Sequence, residues 1–213
     1  MNKSSNIKIS ALLFAIFIGF TVLVMNFDVE KAGASGTEIG FAVINTWFRD
    51  LIGTNDFFYG LTEISGYIAI LTMGLFGLIG LIQLIKRKSL LKVDNDILML
   101  GGFYAAVLAC YVAFEKIVIN YRPILTESGL EASYPSSHCL LVICVMMTAA
   151  MQFNWRLKEA RDKKIMTGIC IAIAVLTVIG RMLSGVHWFT DIVGGVLLSA
   201  ALVYTYYTFA KKY

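Results

Sequence analysis

Residues 165–209 read IMTGICIAIAVLTVIGRMLSGVHWFTDIVGGVLLSAALVYTYYTF. Two apolar runs, over 165–183 and 188–209, each match the roughly 20 residues that a helix needs to cross a bilayer. Arg181, His187 and Asp191 gather where the first run gives way to the second. Backbone polar groups cannot go unpaired in hydrocarbon, so two such runs with a short turn read as a pair of antiparallel spanning helices. Four further apolar runs, over 8–27, 64–85, 96–118 and 137–154, extend the hairpin to six spans.

The composition agrees. The chain of 213 residues is 58% hydrophobic and 15% charged, where a soluble domain carries about a quarter charged residues. Its mean hydropathy is +0.76. We expect an all-α polytopic membrane protein, residues 1–213 forming one membrane-embedded domain built as a six-helix bundle. A net charge of +4 without a block of like charges excludes nucleic acid as a natural partner. Cys110, Cys139, Cys144 and Cys170 all lie in apolar runs with no Cys-x-x-Cys spacing, and read as small buried hydrophobes.

Segment 40–53 is too short to span. Phe41, Ile44, Phe48 and Leu51 recur at helical spacing, with Asn45, Arg49 and Asp50 away from that stripe. This predicts an amphipathic helix lying in the membrane interface. The first span follows Lys3 and Lys8 and precedes Ala32-Gly33-Ala34, a pattern shared with cleaved signal peptides. Its apolar run, Ala11 to Phe27, is longer than a signal peptide's, and six spans place both ends on one side; we expect it to be retained.

The cations are unevenly shared. Lys3, Lys8, Lys86, Arg87, Lys88, Lys92, Arg156, Lys158, Arg161, Lys163, Lys164, Lys211 and Lys212 fall on one side, against Lys31, Arg49, Lys116, Arg122 and Arg181 on the other. Positive charge is retained in the cytoplasm, so the first set is expected inside a plasma membrane and the second outside. Both histidines and both prolines of the chain fall on the second side: Arg122-Pro123, Pro135-Ser136-Ser137-His138, and His187.

This set has a chemical meaning. Arginine's planar fork of donors fits phosphate oxygens. Pro135-Ser136 before an apolar run reads as a helix start with Ser136 as N-cap, whose free N–H groups attract an anion. His187 and Asp191 are four apart, so on a helix the carboxylate orients the imidazole and leaves its other nitrogen as a nucleophile. His138, from another span, is placed to donate a proton.

These residues resemble the type 2 phosphatidic acid phosphatase family, whose motifs are Lys-x6-Arg-Pro, Pro-Ser-Gly-His and Ser-Arg-x5-His-x3-Asp. Here they stand as Arg122-Pro123, Pro135-Ser136-Ser137-His138 and Gly180-Arg181-x5-His187-x3-Asp191. The resemblance implies that His187 forms a phosphohistidine, Asp191 orients it and His138 protonates the leaving group. Arg122, Arg181, Ser136 and Ser137 would hold the phosphate, with no metal and no cofactor. It implies a lipid phosphate substrate at the outer face. Undecaprenyl diphosphate is favoured for the outer site and compact size, with phosphatidylglycerophosphate and phosphatidic acid also covered by the family.

Three positions depart from the family. Ser137 replaces a glycine, and Gly180 replaces a serine. Lys116 is six residues before Arg122 rather than seven, and Glu115 stands at the family's lysine position. One residue is about 100° around a helix, so Lys116 must use its long stem to reach phosphate. Rival readings fare worse. A transporter would spread charge through the depth of its spans, a non-catalytic scaffold would not keep the His-His-Asp set, and a haloperoxidase sharing the site would be soluble. Glu127 and Glu131 are expected to be solvated, Tyr204, Tyr206, Tyr207 and Trp155 to form an aromatic belt, and Glu63 to pair with a site cation or to rest at the interface.

Overall fold

The computed structural model describes residues 3–126 and 129–210. It is all-helical in its regular structure: α1 (Lys3–Asn26), α2 (Ala42–Ile52), α3 (Asp56–Arg87), α4 (Asn95–Lys116), α5 (Ser137–Arg156), α6 (Ala160–Ser184) and α7 (Phe189–Ala210), with short 3₁₀ turns at Ala34–Gly36 and Leu90–Lys92. Six of these helices are long and apolar enough to cross a membrane, and α2 is the short one. Lys211 and Lys212, counted on the inner side, and Glu127 lie outside the described residues.

The spans coincide with the expected runs, but α3 starts eight residues earlier than the apolar pattern. Asn55 caps it, its Oδ1 accepting from the Phe57 and Phe58 N–H groups at 3.1 and 3.3 Å. Hydropathy marks only where hydrocarbon begins; the helix itself runs back to its cap. The extra two turns carry Tyr59, Thr62 and Glu63 into the bundle as helical residues.

Helices α5 and α7 form the buried centre, with α1 packed along α7, α6 along α5, and α3 against α5 and α6. Small residues set the spacing. A Cβ on Gly194 of α7 would fall 2.5 Å from Tyr134 Cε2, and one on Gly195 would fall 3.0 Å from Cys139 Cβ. Close backbone approach of this kind is the usual means of packing helices where lipid supplies no hydrophobic drive. At the end carrying the α3–α4 and α5–α6 turns, Arg156 pairs with Asp94 and Asp96, and Arg87 donates to Asp94 at 2.7 Å. The Arg87 hydrogen bond above all holds the Asp94 carboxyl low, at about 2. Tyr206 belongs to this cluster rather than to an aromatic belt, because its hydroxyl accepts from Gln152 Nε2 at 2.7 Å and it is buried.

Helix α2 is amphipathic, as expected of a helix lying in the membrane interface, with Ile44 and Leu51 of the apolar stripe on its outward side. Ala42 and Asn45 face the protein, while Val43, Ile44, Trp47 and Leu51 are exposed. The apolar side faces outward toward lipid, and a polar residue does the docking. Asn45 Nδ2 donates to the Gly40 carbonyl (2.8 Å) and to Thr190 Oγ1 (2.9 Å), and Asn45 Oδ1 accepts from the Thr190 N–H (3.1 Å). The first turn of α7 is pinned by these bonds.

Gly180 explains its own departure from the family. A Cβ there would meet Thr62 Cγ2 at 2.6 Å, so only glycine lets α6 lie this close to α3. Gly180→Ser, which restores the family's residue, is therefore expected to destabilise the protein by about 1–3 kcal/mol through overpacking. Thermal unfolding in detergent should show a lowered midpoint, recovered when Thr62→Ala is added. An unchanged midpoint in the single variant contradicts this packing.

Candidate active site

At the opposite end of the bundle from the Arg156 cluster, four loops and helix ends converge. Helix α5 begins with Ser136 as N-cap, as expected, its Oγ 3.5 Å from the Cys139 N–H, after a cis Tyr134–Pro135 bond. The Ser136 N–H donates to the Asp191 carbonyl at 2.9 Å, which ties the start of α5 to the start of α7. Ser136 is fully buried, whereas Ser137 and His138 line a cavity.

Helix α6 ends at Ser184, and Gly185 closes it in the left-handed conformation (φ 69°) that glycine adopts without strain. A Cβ there would also overlap the Gly53 carbonyl at 1.9 Å. The chain then runs through His187 before α7 starts at Phe189. His187 is thus not on the helix that the four-residue spacing assumed, yet it meets Asp191: His187 Nδ1 lies 3.7 Å from Asp191 Oδ2. Asp191 is held on both oxygens, Oδ2 by the Trp188 N–H (2.9 Å) and Oδ1 by Asn120 Nδ2 (3.2 Å). Its charge also suits the first turn of a helix. Trp188 is fixed in turn by donation from Nε1 to the Tyr121 carbonyl at 2.7 Å.

Arg181, in the last turn of α6, has a side chain with no solvent exposure. Its Nη2 donates to Glu63 Oε1 at 2.6 Å, and its guanidinium lies 5.2 Å from the Tyr59 ring centroid. The same Glu63 oxygen is 3.1 Å from His138 Nε2. Of the two sequence readings of Glu63, the structure takes the first: it pairs with a site cation. Arg122 follows Tyr121, which bridges to Ala132, and its Nε lies 3.1 Å from Glu131 Oε2, so Glu131 is an ion-pair partner rather than a solvated loop residue. Among the described residues, seven buried side-chain polar atoms have no hydrogen-bond partner. Arg122 Nε and His187 Nδ1 still face the carboxylates of Glu131 and Asp191, which leaves Arg181 Nε and Nη1, His187 Nε2 and Ser133 Oγ as the site atoms with neither hydrogen bond nor ion pair. Buried donors are normally satisfied, so a cluster of unsatisfied ones marks a place prepared for an anionic ligand.

Burial pushes the His187 imidazole below its ordinary pKa, with Arg122 and Arg181 acting in the same direction and Asp191 opposing. The neutral form, which carries a free lone pair, is favoured. Lys116 stands apart from this cluster: it is the last residue of α4, exposed, with no hydrogen bond or ion pair recorded among the described residues. Glu115 lines a narrow cleft with Ser133, Pro135 and Ser137.

A cavity of about 470 Å³ opens beside His138 and Glu63 and runs along α3 and α4 past Tyr67, Ile70 and Val107 to Met73. Met73 also lines a second apolar cavity of about 410 Å³ that continues between the same helices. Asn120, Asn45 and the dual contact of Glu63 carried no motif signal. The one hint was a carboxylate near the end of an apolar run, where charge is costly without a partner.

Comparison with known proteins places the chain in a family. The chain is 32% identical over 99 residues to phosphatidylglycerophosphatase B of Bacillus subtilis (strain 168), covering 46% of this chain and 48% of that protein. The aligned part thus spans about half the length of that relative. A solved structure described as the first transmembrane PAP2 type phosphatidylglycerolphosphate phosphatase from Bacillus subtilis shares the fold, with a TM-score of 0.64 and 20% identity over 94% of each chain. The PAP2 superfamily model matches residues 68–213, more than half of the chain and the whole of the site except Glu63 and the α2 anchor, and the protein belongs to the PAP2 superfamily.

Proposed function

We propose that this protein is a membrane lipid phosphatase that transfers phosphate from a lipid to His187 and then to water. The observation that carries the reading is the convergence of buried, unpartnered Arg181 and His187 atoms beside Arg122 and the start of α5, at the mouth of an apolar cavity. Arg122, Arg181 and the free N–H groups at Ser137 and His138 receive the phosphate oxygens. His187 Nε2 attacks phosphorus while Asp191, at Nδ1, orients the ring and stabilises the developing positive charge. The bond from phosphorus to the lipid oxygen breaks, its electron pair stays on that oxygen, and His138 supplies the proton. Water then attacks the phosphohistidine, returning a proton to His138 and releasing phosphate. The 3.7 Å gap between His187 and Asp191 is of the kind that tightens only with substrate bound. Charge neutralisation falls to arginines, so the reaction is proposed to need no metal.

The relatives' names favour phosphatidylglycerophosphate as substrate. Undecaprenyl diphosphate is the second reading, favoured by two apolar cavities along α3 and α4 that share Met73 in their walls. The bias of Lys and Arg toward the opposite end supports a site at the outer face of a plasma membrane.

Phosphate release from both lipids in mixed micelles, with and without EDTA, tests the reading. His187→Ala is expected to lower turnover at least about 1,000-fold, as loss of a nucleophile does, with EDTA without effect. Full activity of that variant, or strict dependence on added magnesium, would overturn it. Lys116→Ala should raise KM with kcat unchanged, because an exposed ammonium steers an anion without touching the reacting atoms. Arg122→Ala should lower kcat, and equal kcat losses in the two would contradict that division. In ¹⁵N NMR of the histidines, His187 should stay neutral as pH falls through 6.5 and protonate only below it. Titration at or above 6.5 would show that burial does not govern it.

A further inference from the structure

Helix α3 supplies a carboxylate to the second histidine of the site, as α7 does to the first. Glu63 Oε1 lies 3.1 Å from His138 Nε2 and accepts from Arg181 Nη2 at 2.6 Å. One helical turn further along, Gly66 faces the same edge of the ring: a Cβ there would stand 3.3 Å from His138 Nε2 and 3.4 Å from Cδ2. Carboxylate and glycine together form a socket for the Nε2 edge. The socket exists because α3 lies close to α6, where Gly180 meets Thr62. Arg181, stacked on Tyr59 and bonded to Glu63, keeps the carboxylate from turning away.

We propose that Glu63 is a positioning residue for proton donation by His138. A carboxylate only accepts, so the hydrogen on Nε2 is fixed toward Glu63, and Nδ1 is the nitrogen that faces the departing lipid oxygen. In the first step the P–O bond breaks, its electron pair goes to the lipid oxygen, and the Nδ1 proton moves to that oxygen. The imidazole is left neutral, with Nε2–H still bonded to Glu63. Water attacking the phosphohistidine then returns a proton to Nδ1. The inference rests on the phosphatase reading above, with His138 as the proton donor.

Leaving-group dependence tests it, because a role limited to neutralising Arg181 or supporting the fold does not depend on the leaving group. Decyl phosphate expels a poor alkoxide that needs a proton, whereas p-nitrophenyl phosphate expels a stable phenolate that does not. The quantity read is the ratio of kcat/KM for the alkyl over the aryl ester, in detergent. Glu63→Gln keeps an acceptor for Arg181 but removes the charge, and is expected to lower that ratio at least about tenfold, within the 10–100-fold cost of losing an outer-shell partner. His138→Ala should lower the ratio further, and adding Glu63→Gln to His138→Ala should move it no more. A Glu63→Gln protein that loses both substrates equally, or that still shifts the ratio without His138, overturns the proposal. A wild-type protein that cleaves neither ester overturns the phosphatase reading itself.

Discussion

A guanidinium with no solvent exposure inside a bundle of apolar helices needs an anion and donors' partners around it, and Arg181 organises its surroundings to meet that need. Desolvating the charge is expensive, and a single bond to Glu63 with the face of Tyr59 offsets only part of the cost. Its Nε and Nη1 have no hydrogen-bond partner among the described residues. Phosphate oxygens are the chemically natural completion, which makes the arginine's burial and the protein's ligand two sides of one constraint. Gly180 beside it, Gly185 after it and the long N-terminal extension of α3 all serve to bring α3, α6 and the α6–α7 turn together at this point.

The proposed nucleophile, His187, sits beside a second, interlocked set of bonds. Asp191 receives the Trp188 N–H and the Asn120 amide, and its own carbonyl receives the Ser136 N–H. The loop before α5, the stretch at residue 120 and the first turn of α7 are therefore tied together by hydrogen bonds. Asn45 extends these ties to α2 through Thr190. A carboxylate held on both oxygens is kept on the Nδ1 side of His187, 3.7 Å away, which leaves Nε2 as the nitrogen pointing away from it. Such preorganisation matters because phosphoryl transfer asks the protein mainly for positioning and charge.

The six spans, the interfacial helix and the gathering of Arg122, Ser136, His138, Arg181, His187 and Asp191 at one end were readable from hydropathy and motif spacing, because a bilayer's thickness and the cost of charge near it are strong, local physics. Other features were not readable, for identifiable reasons. How α2 docks was hidden, because the contact joins Asn45 to Thr190, 145 positions away in the chain. The start of α3 was missed because Asn55, Asp56, Gly60, Thr62 and Glu63 interrupt the apolar pattern there. The pairing of Arg122 with Glu131 and of His138 with Glu63 joins residues 9 and 75 positions apart, and such contacts leave no period in the sequence. The placement of His187 just ahead of α7 was also hidden, although the spacing to Asp191 brought the two together regardless.

The central claim is that phosphate passes through a covalent bond to His187, and trapping that bond tests it most directly. His138→Ala protein, slowed in breakdown of the intermediate, would be mixed with p-nitrophenyl phosphate carrying radiolabelled phosphorus, whose phenolate leaves without a proton, then quenched in base and digested. The account predicts an acid-labile, base-stable label on the peptide that contains His187, absent when His187 is replaced by alanine. Label that survives acid, or that persists without His187, would contradict it.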